Sequence, residues 1–292
     1  MMQKHYQKAC DSVQGSTLYV VATPIGNLAD ITLRALAVLG KADWVCAEDT
    51  RVTAQLLRAY GIQAKLLSVR EHNERQMVER VLAELAAGKV VAQVSDAGTP
   101  AVCDPGARLA AAVRAAGYPV VPVVGASAVM GALSVAGVVE PSFYFHGFLP
   151  PKSGERKKLL AGWRETAFPV VMFETPHRIG AALDDMAEVF PDRHLVLARE
   201  ISKTFETVLG GTVADIQTAL KQDANQSRGE MVLVLHPAAV RNGADGLPQE
   251  AERVMRILAA ALPTKQAADL AAQITGAGKK TLYDAALAWK DA

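Results

Sequence analysis

Side chains able to move a proton or hold a phosphate gather in this chain where apolar runs give out. After Val90 to Val94 comes Ser95-Asp96-Ala97-Gly98-Thr99-Pro100. There Asp96 and Thr99 offer polar groups, Gly98 lets backbone approach a ligand, and Pro100 stops a strand ladder. Glu48, Asp49 and Arg51 follow Trp44 to Cys46; Arg70, Glu71 and His72 follow Lys65 to Val69. Thr23 to Asn27 and Gly125 to Ser127 close two further runs. Carboxylates in such places could orient or deprotonate a hydroxyl, and arginines could clamp a phosphate beside it. Taken singly, each is as readily a helix cap or a surface ion pair.

Spacing narrows the chemistry. Neither GxGxxG nor GxxxxGK[ST] follows the first apolar run, where Gly26 stands alone behind Pro24, so NAD and ATP are disfavoured. Ser127 lies in GAS rather than GxSxG, and Ser95 has no evident base, which argues against a hydrolase. Cys10, Cys46 and Cys103 form no CxxC, and the histidines show no ligand spacing. The chain therefore reads as a protein of the reducing cytoplasm, with no metal site expected.

The elements that must position these groups alternate. Apolar runs of strand length are separated by helical patterns, as in Ile31, Leu33, Leu36 and Leu39 before Gly40. This rhythm predicts an α/β fold with a mainly parallel sheet over residues 17–150, whose strand ends share one edge and face one crevice. A second α/β domain is expected over 151–238, with a mixed sheet, because the runs at Leu195 and Thr207 have no helix between them. Residues 239–248 read as a linker and 249–292 as helical, with either a helix-turn-helix or a simple cap around Thr275 to Gly278. Residues 1–16 read as a loose tail without a signal peptide. Val120 to Val139 is as long as a membrane span, but Pro122, Gly125, Gly131 and Gly137 interrupt it, so it reads as strand, tight turn and buried helix. No membrane contact is expected.

Across 292 residues, half of them hydrophobic, the net charge is only +1. A polyanion would have to be held by local groups. Lys152, Arg156, Lys157 and Lys158, with Lys279 and Lys280 far along the chain, could do so, or could form solvated helix faces.

The blocks LYVVATPIGNLADITLRAL, AEDTR, SDAGTP, VVGASAV, FHGFLP, FETPHR and SRGEMVLVL, in that order, resemble the tetrapyrrole (corrin/porphyrin) methylase superfamily. Within it they resemble the branch that methylates the 2′-oxygen of a cytidine ribose in the decoding region of 16S ribosomal RNA. The resemblance implies two α/β domains, S-adenosylmethionine in the cleft between them, and a homodimer acting on 16S rRNA. The near-neutral charge points to the assembled small subunit as substrate.

Block by block, the resemblance places Asp96, Gly98, Thr99, Ser127, Ala128 and Phe173 against the cofactor, with Glu230 and Met231 beside them. Pro24 and Ile25, also assigned to the cofactor, stand where porphyrin-type members carry a glycine-rich loop, which argues against a tetrapyrrole substrate. The family pattern supplies no general base. From the residues, Glu48 or Asp49 is expected to orient or deprotonate the hydroxyl while Arg51 clamps the backbone. Arg70, His72, Lys152 and Arg156 are expected to meet the RNA. A small-tetrapyrrole methylase and a non-catalytic ribosome-assembly factor remain the alternatives.

Overall fold

The computed structural model describes residues 1–70, 73–238 and 247–289. The chain forms two compact units, 1–237 and 238–292. The first unit opens with α1 (Met2–Asp11), β1 (Thr17–Val21), α2 (Leu33–Lys41), β2 (Trp44–Ala47), α3 (Thr50–Ala59), β3 (Lys65–Ser68), α4 (Glu74–Ala86), β4 (Val90–Val94), α5 (Ala107–Ala115) and β5 (Val120–Val123). Residues 1–16 correct the expectation of a loose tail. They form α1 packed on α2, with Val13 against the core. This helix buries none of its own residues fully, and its polar composition masked its amphipathic spacing.

The first sheet is parallel throughout, in the order β3-β2-β4-β1-β5. Alternate residues of its strands point to opposite faces. Tyr19, Val21 and Ala92 pack with Val38, Leu39 and Leu57 on one side. Leu18 and Val91 pack with Val81, Leu85, Leu109 and Val113 on the other.

The unit continues with α6 (Ala128–Val135), β6 (Tyr144–Phe148), α7 (Ser153–Ala161), β7 (Val170–Glu174), α8 (Ile179–Val189), β8 (His194–Arg199), β9 (Thr207–Thr212), α9 (Val213–Gln222) and β10 (Met231–Leu235). The second sheet runs β6-β7-β10-β8-β9, with β6 and β7 parallel and the remaining pairs antiparallel. It is mixed, as the missing helix between Leu195 and Thr207 indicates. Helices α7, α8 and α9 cover one face, and α6 covers the other through Val129 and Ala132 against Val171, Val196 and Val232.

Two expectations are corrected here. The chain passes to the second sheet directly after β5, so a boundary after Pro150 falls too late. And α6 is not a buried helix: Met130 and Val135 on it, like Val124 and Val139 at its flanks, are exposed.

The second unit, described by itself, holds α10 (Gln249–Ala261), α11 (Thr264–Thr275) and α12 (Lys279–Ala288). Met255, Ala267, Ala271, Leu282 and Ala285 form its small core, and the Arg256 guanidinium lies 4.0 Å from the Trp289 ring centre. The expected linker falls largely on 239–246, outside the described residues. Among the described residues no helix is long and apolar enough to cross a membrane.

Candidate active site

Strands β1 and β4 lie side by side, and the chain leaves them in opposite directions, from β1 to β2 and from β4 to β5. Loops that part in this way open a crevice at the carboxyl ends of the strands. Two main-chain hydrogen bonds span it: Thr23 N–H to the Gly98 carbonyl at 2.9 Å and Gly98 N–H to the Thr23 carbonyl at 3.0 Å. The Thr99 hydroxyl donates to the Ala126 carbonyl at 3.1 Å, joining the loop after β5. Gly98 has φ +76°, and a Cβ there would stand 3.2 Å from Ile25 Cγ2. Further along, Ala101 and Cys103 also hold positive φ, 67° and 64°. Such conformations cost a non-glycine residue about 1–2 kcal/mol. They persist where the surroundings enforce them, often at functional sites.

A cavity of about 360 Å³ opens between the two sheets of this unit, within the ~300–1,000 Å³ usual for small-molecule sites. Eight of the residues assigned to the cofactor line it: Ile25, Gly98, Thr99, Ser127, Ala128, Phe173, Glu230 and Met231. Ser127 also caps α6. Pro24 is buried in the β1 loop and lines neither this cavity nor its neighbour; Asp96 lines the neighbour. Val129, Phe148, Thr175, Pro176 and Ile201 also line it; the first four lie within the family blocks but were not singled out in the sequence, and nothing local marks Ile201.

Lys203 fastens one side of this cavity. Its ammonium bonds Glu200 and Glu230, both at 2.9 Å. Burial opposes the Lys203 charge, yet the two carboxylates outweigh it and lift the lysine above its ordinary range. The lysine stem crosses Gly26, where a Cβ would lie 2.3 Å from Lys203 Cγ at a φ of +146°. Gly26→Ala should displace the stem and break both ion pairs. We expect about tenfold weaker cofactor binding, equivalent to ~1.4 kcal/mol, read by calorimetry.

A second cavity of about 680 Å³ adjoins the first. Glu48, Asp49, Arg70, Glu74, Asp96 and Asp104 line it, with Arg108 at the start of α5. Asp104, Glu74 and Arg108 were not singled out in the sequence, although Asp104 lies only four residues past Pro100. Burial pushes the Glu48 carboxyl above the usual carboxylate range, and the charges of Asp104 and Asp96 add to it.

Asp49 is the opposite case. The Arg51 guanidinium and backbone N–H hold its carboxyl well below that range, with Arg51 Nη2 2.5 Å from Asp49 Oδ2. It caps α3, Arg51 N–H donating to Oδ1 at 2.8 Å. Asp49 thus serves as a helix cap on the wall of the second cavity. Arg51 is 84% exposed and lines neither cavity, although Arg70 lines the second.

Of the other residues assigned to the RNA, His72 lies outside the described residues. Lys152 is exposed and paired with Glu155 at 3.2 Å, away from either cavity's lining. Arg156 is corrected. It is buried, paired with Asp185 at 2.6 Å, and donates to the carbonyls of Pro150, Pro151 and Ala181. A guanidinium so enclosed braces the turn into α7 and is closed to a phosphate.

Residues 17–217, more than half of the chain, match the family model described as tetrapyrrole (corrin/porphyrin) methylases. The chain belongs to the tetrapyrrole methylase family. Residues 245–290 match a second model, described as the RsmI C-terminal HTH domain. Among relatives, the ribosomal RNA small subunit methyltransferase I of Neisseria meningitidis serogroup B is 73% identical over 291 residues, covering 100% of both chains. The protein of the same name from Escherichia coli O157:H7 is 45% identical, covering 97% of this chain and 98% of its own.

Solved structures share the methylase fold. The cobalt precorrin-4 methyltransferase superimposes with a TM-score of 0.56 at 18% identity, over 76% of this chain and 95% of that one. The uroporphyrin-III-C-methyltransferase of Thermus thermophilus gives 0.51 at 24%, over 76% and 94%.

Membership of the methylase family brings S-adenosylmethionine as methyl donor. The first cavity suits it. Ile25, Val129, Phe173, Ile201 and Met231 give apolar walls for a flat base and a methyl group, and Thr99, Ser127 and Thr175 offer polar atoms. The glycine cradle at Gly98 keeps backbone, not side chain, against the space.

Proposed function

We infer that the chain transfers a methyl group from S-adenosylmethionine to the 2′-oxygen of a cytidine ribose in the decoding region of 16S ribosomal RNA. The observation that carries this reading is the end-to-end likeness to the Neisseria ribosomal RNA small subunit methyltransferase I. The paired cavities support it, one apolar and one lined with carboxylates and arginines.

When bound, S-adenosylmethionine supplies a methyl carbon already activated by its positive sulfur. The chain must hold the hydroxyl in line with that carbon, about 3 Å away, and keep water out. Ile25, Val129 and Phe173 exclude water. Glu48 orients the ribose from the second cavity, and Arg70, facing the same space, pairs with an adjacent phosphate.

The substrate proposed is the assembled subunit, encountered in the cytoplasm. The second unit is proposed to add RNA contacts through its helix-turn-helix. Removing residues 238–292 should then weaken subunit binding about tenfold or more while cofactor binding holds, measured by filter binding and calorimetry. A homodimer is also proposed, joined through the exposed Met130 and Val135 of α6.

The test is transfer of labelled methyl from S-adenosylmethionine to small subunits from cells lacking the modification, with a uroporphyrin-type macrocycle as competitor. Label is expected in 16S rRNA alone. Label on the macrocycle would contradict the reading.

A further inference from the structure

We propose that Asp104 is the catalytic residue that accepts the hydroxyl proton during methyl transfer, an assignment that rests on the function inferred above. Of the residues lining the two cavities, Cys103 and Asp104 belong to both. The hydroxyl must meet the methyl carbon where the donor's cavity opens into the substrate's. A group that takes its proton has to stand at that junction within hydrogen-bond reach.

The chemistry selects between the two. Partial desolvation and the Asp104 charge push the Cys103 thiol up, so at neutral pH it keeps its own proton. Asp104 is half-buried, and burial raises its carboxyl above the usual range, with the Ser95 hydroxyl moderating this and Asp96 adding to it. A carboxylate made more basic in this way is a better acceptor at working pH than an ordinary one.

The other carboxylates each line only one of the two cavities, and most hold partners of their own. Glu174 is tied to Arg178 at 3.2 Å and to the Thr175 N–H at 2.8 Å, and Glu230 holds Lys203. Glu74 accepts the Leu109 N–H at 2.9 Å, and Asp96 accepts the Asp49 N–H at 2.9 Å. Glu48 faces only the second cavity.

Backbone geometry fixes the position. Cys103 holds φ +64° immediately before Asp104, and Pro105 and Gly106 lead from it into α5. The carboxyl is therefore presented from a short, over-determined turn. In the step itself, the bond from O2′ to the methyl carbon forms as the carbon–sulfur bond breaks. The electron pair of that bond stays on sulfur, and the O2′ proton passes to the Asp104 carboxylate, then to water.

Charged groups face Asp104 from each neighbouring element: Glu48 and Asp49 after β2, Arg70 after β3, Glu74 on α4, Asp96 after β4 and Arg108 on α5. Asp104 must be ionised to act, so the rate should fall as pH drops through its raised pKa. Neutralising Asp96 removes the negative charge that adds to the Asp104 shift and should move that limb downward.

The test compares wild type, Asp104→Asn, Asp104→Glu and Asp96→Asn with small subunits as substrate, alongside calorimetry with S-adenosylmethionine and carboxyl-carbon NMR titration of the cofactor-free protein. Asp104→Asn should lose about 10²–10⁴-fold in kcat and lose the acid limb, with cofactor affinity within about twofold of wild type. Asp104→Glu should restore part of kcat and the limb, and Asp96→Asn should shift the limb down. A carboxyl resonance absent from Asp104→Asn should titrate above the ordinary aspartate range. If wild type methylates and Asp104→Asn does so within about threefold with the same limb, the assignment to Asp104 is overturned while the function stands. If wild type binds cofactor and methylates no RNA, the function falls and Asp104 with it.

Discussion

Gly98→Val is expected to cut methyl transfer by about 100-fold or more, equivalent to ~2.7 kcal/mol of lost transition-state stabilisation. Several effects act together at this residue. A β-branched side chain at φ +76° is a true outlier, and the added Cβ would crowd Ile25 at 3.2 Å. The branches would project into the space between Ile25 and Ala126, where the cavity wall is bare backbone. Relief of that strain would also pull apart the paired hydrogen bonds between Gly98 and Thr23 that hold the β1 and β4 loops together. The strands beneath keep their own ladders, so far-ultraviolet circular dichroism should stay native while calorimetry loses the cofactor signal. Gly98→Ala should fall between the two. Wild-type affinity in Gly98→Val would show that the cavity is not where the cofactor lies.

Arg156→Met is expected to destabilise the first unit by about 3 kcal/mol or more in urea unfolding. The Arg156 and Asp185 side chains are only 3% and 9% exposed, so removing the arginine strands a buried carboxylate. Ser153 donates to Asp185 at 2.8 Å and Lys157 stands 3.8 Å away, which keeps the loss toward the lower end of what such pairs show. The double change Arg156→Met with Asp185→Leu should recover most of the stability, because a well-packed apolar pair replaces a buried ion pair at little cost. Per folded molecule, KM for the small subunit and its salt dependence should match wild type. A steep rise in KM with unchanged stability would return Arg156 to the RNA surface.

The sequence made the strands and their polar ends legible for a physical reason: apolar runs closed by Asp, Thr, Gly or Pro must be strand ends, and parallel strands end on one edge. Ile25, Gly98, Thr99, Ser127 and Phe173 could therefore be placed together, with the family blocks, before any coordinates. Strand order was not legible, since nothing in Val90 to Val94 states that β4 lies between β2 and β1. The side of the molecule that α6 covers was hidden for the same reason.

Arg156 misled because it sits in a run with Lys157 and Lys158, and its partner Asp185 lies 29 residues away. Glu48 and Asp49 are adjacent and of one chemical type. What separates them is the Arg51 pairing of one and the burial of the other. Asp104 lies four residues past Pro100, yet only its place on the wall common to both cavities marks it.

Alkaline hydrolysis tests most directly whether the methyl group goes to a ribose oxygen. Alkali cuts RNA through attack by the 2′-oxygen on the neighbouring phosphate, a reaction that a methylated oxygen cannot begin. After incubation with labelled S-adenosylmethionine and small subunits, 16S rRNA hydrolysed in alkali should carry its label in an alkali-stable dinucleotide whose 5′ member is cytidine. Label released as ordinary mononucleotides would place the methyl on a base and contradict the account.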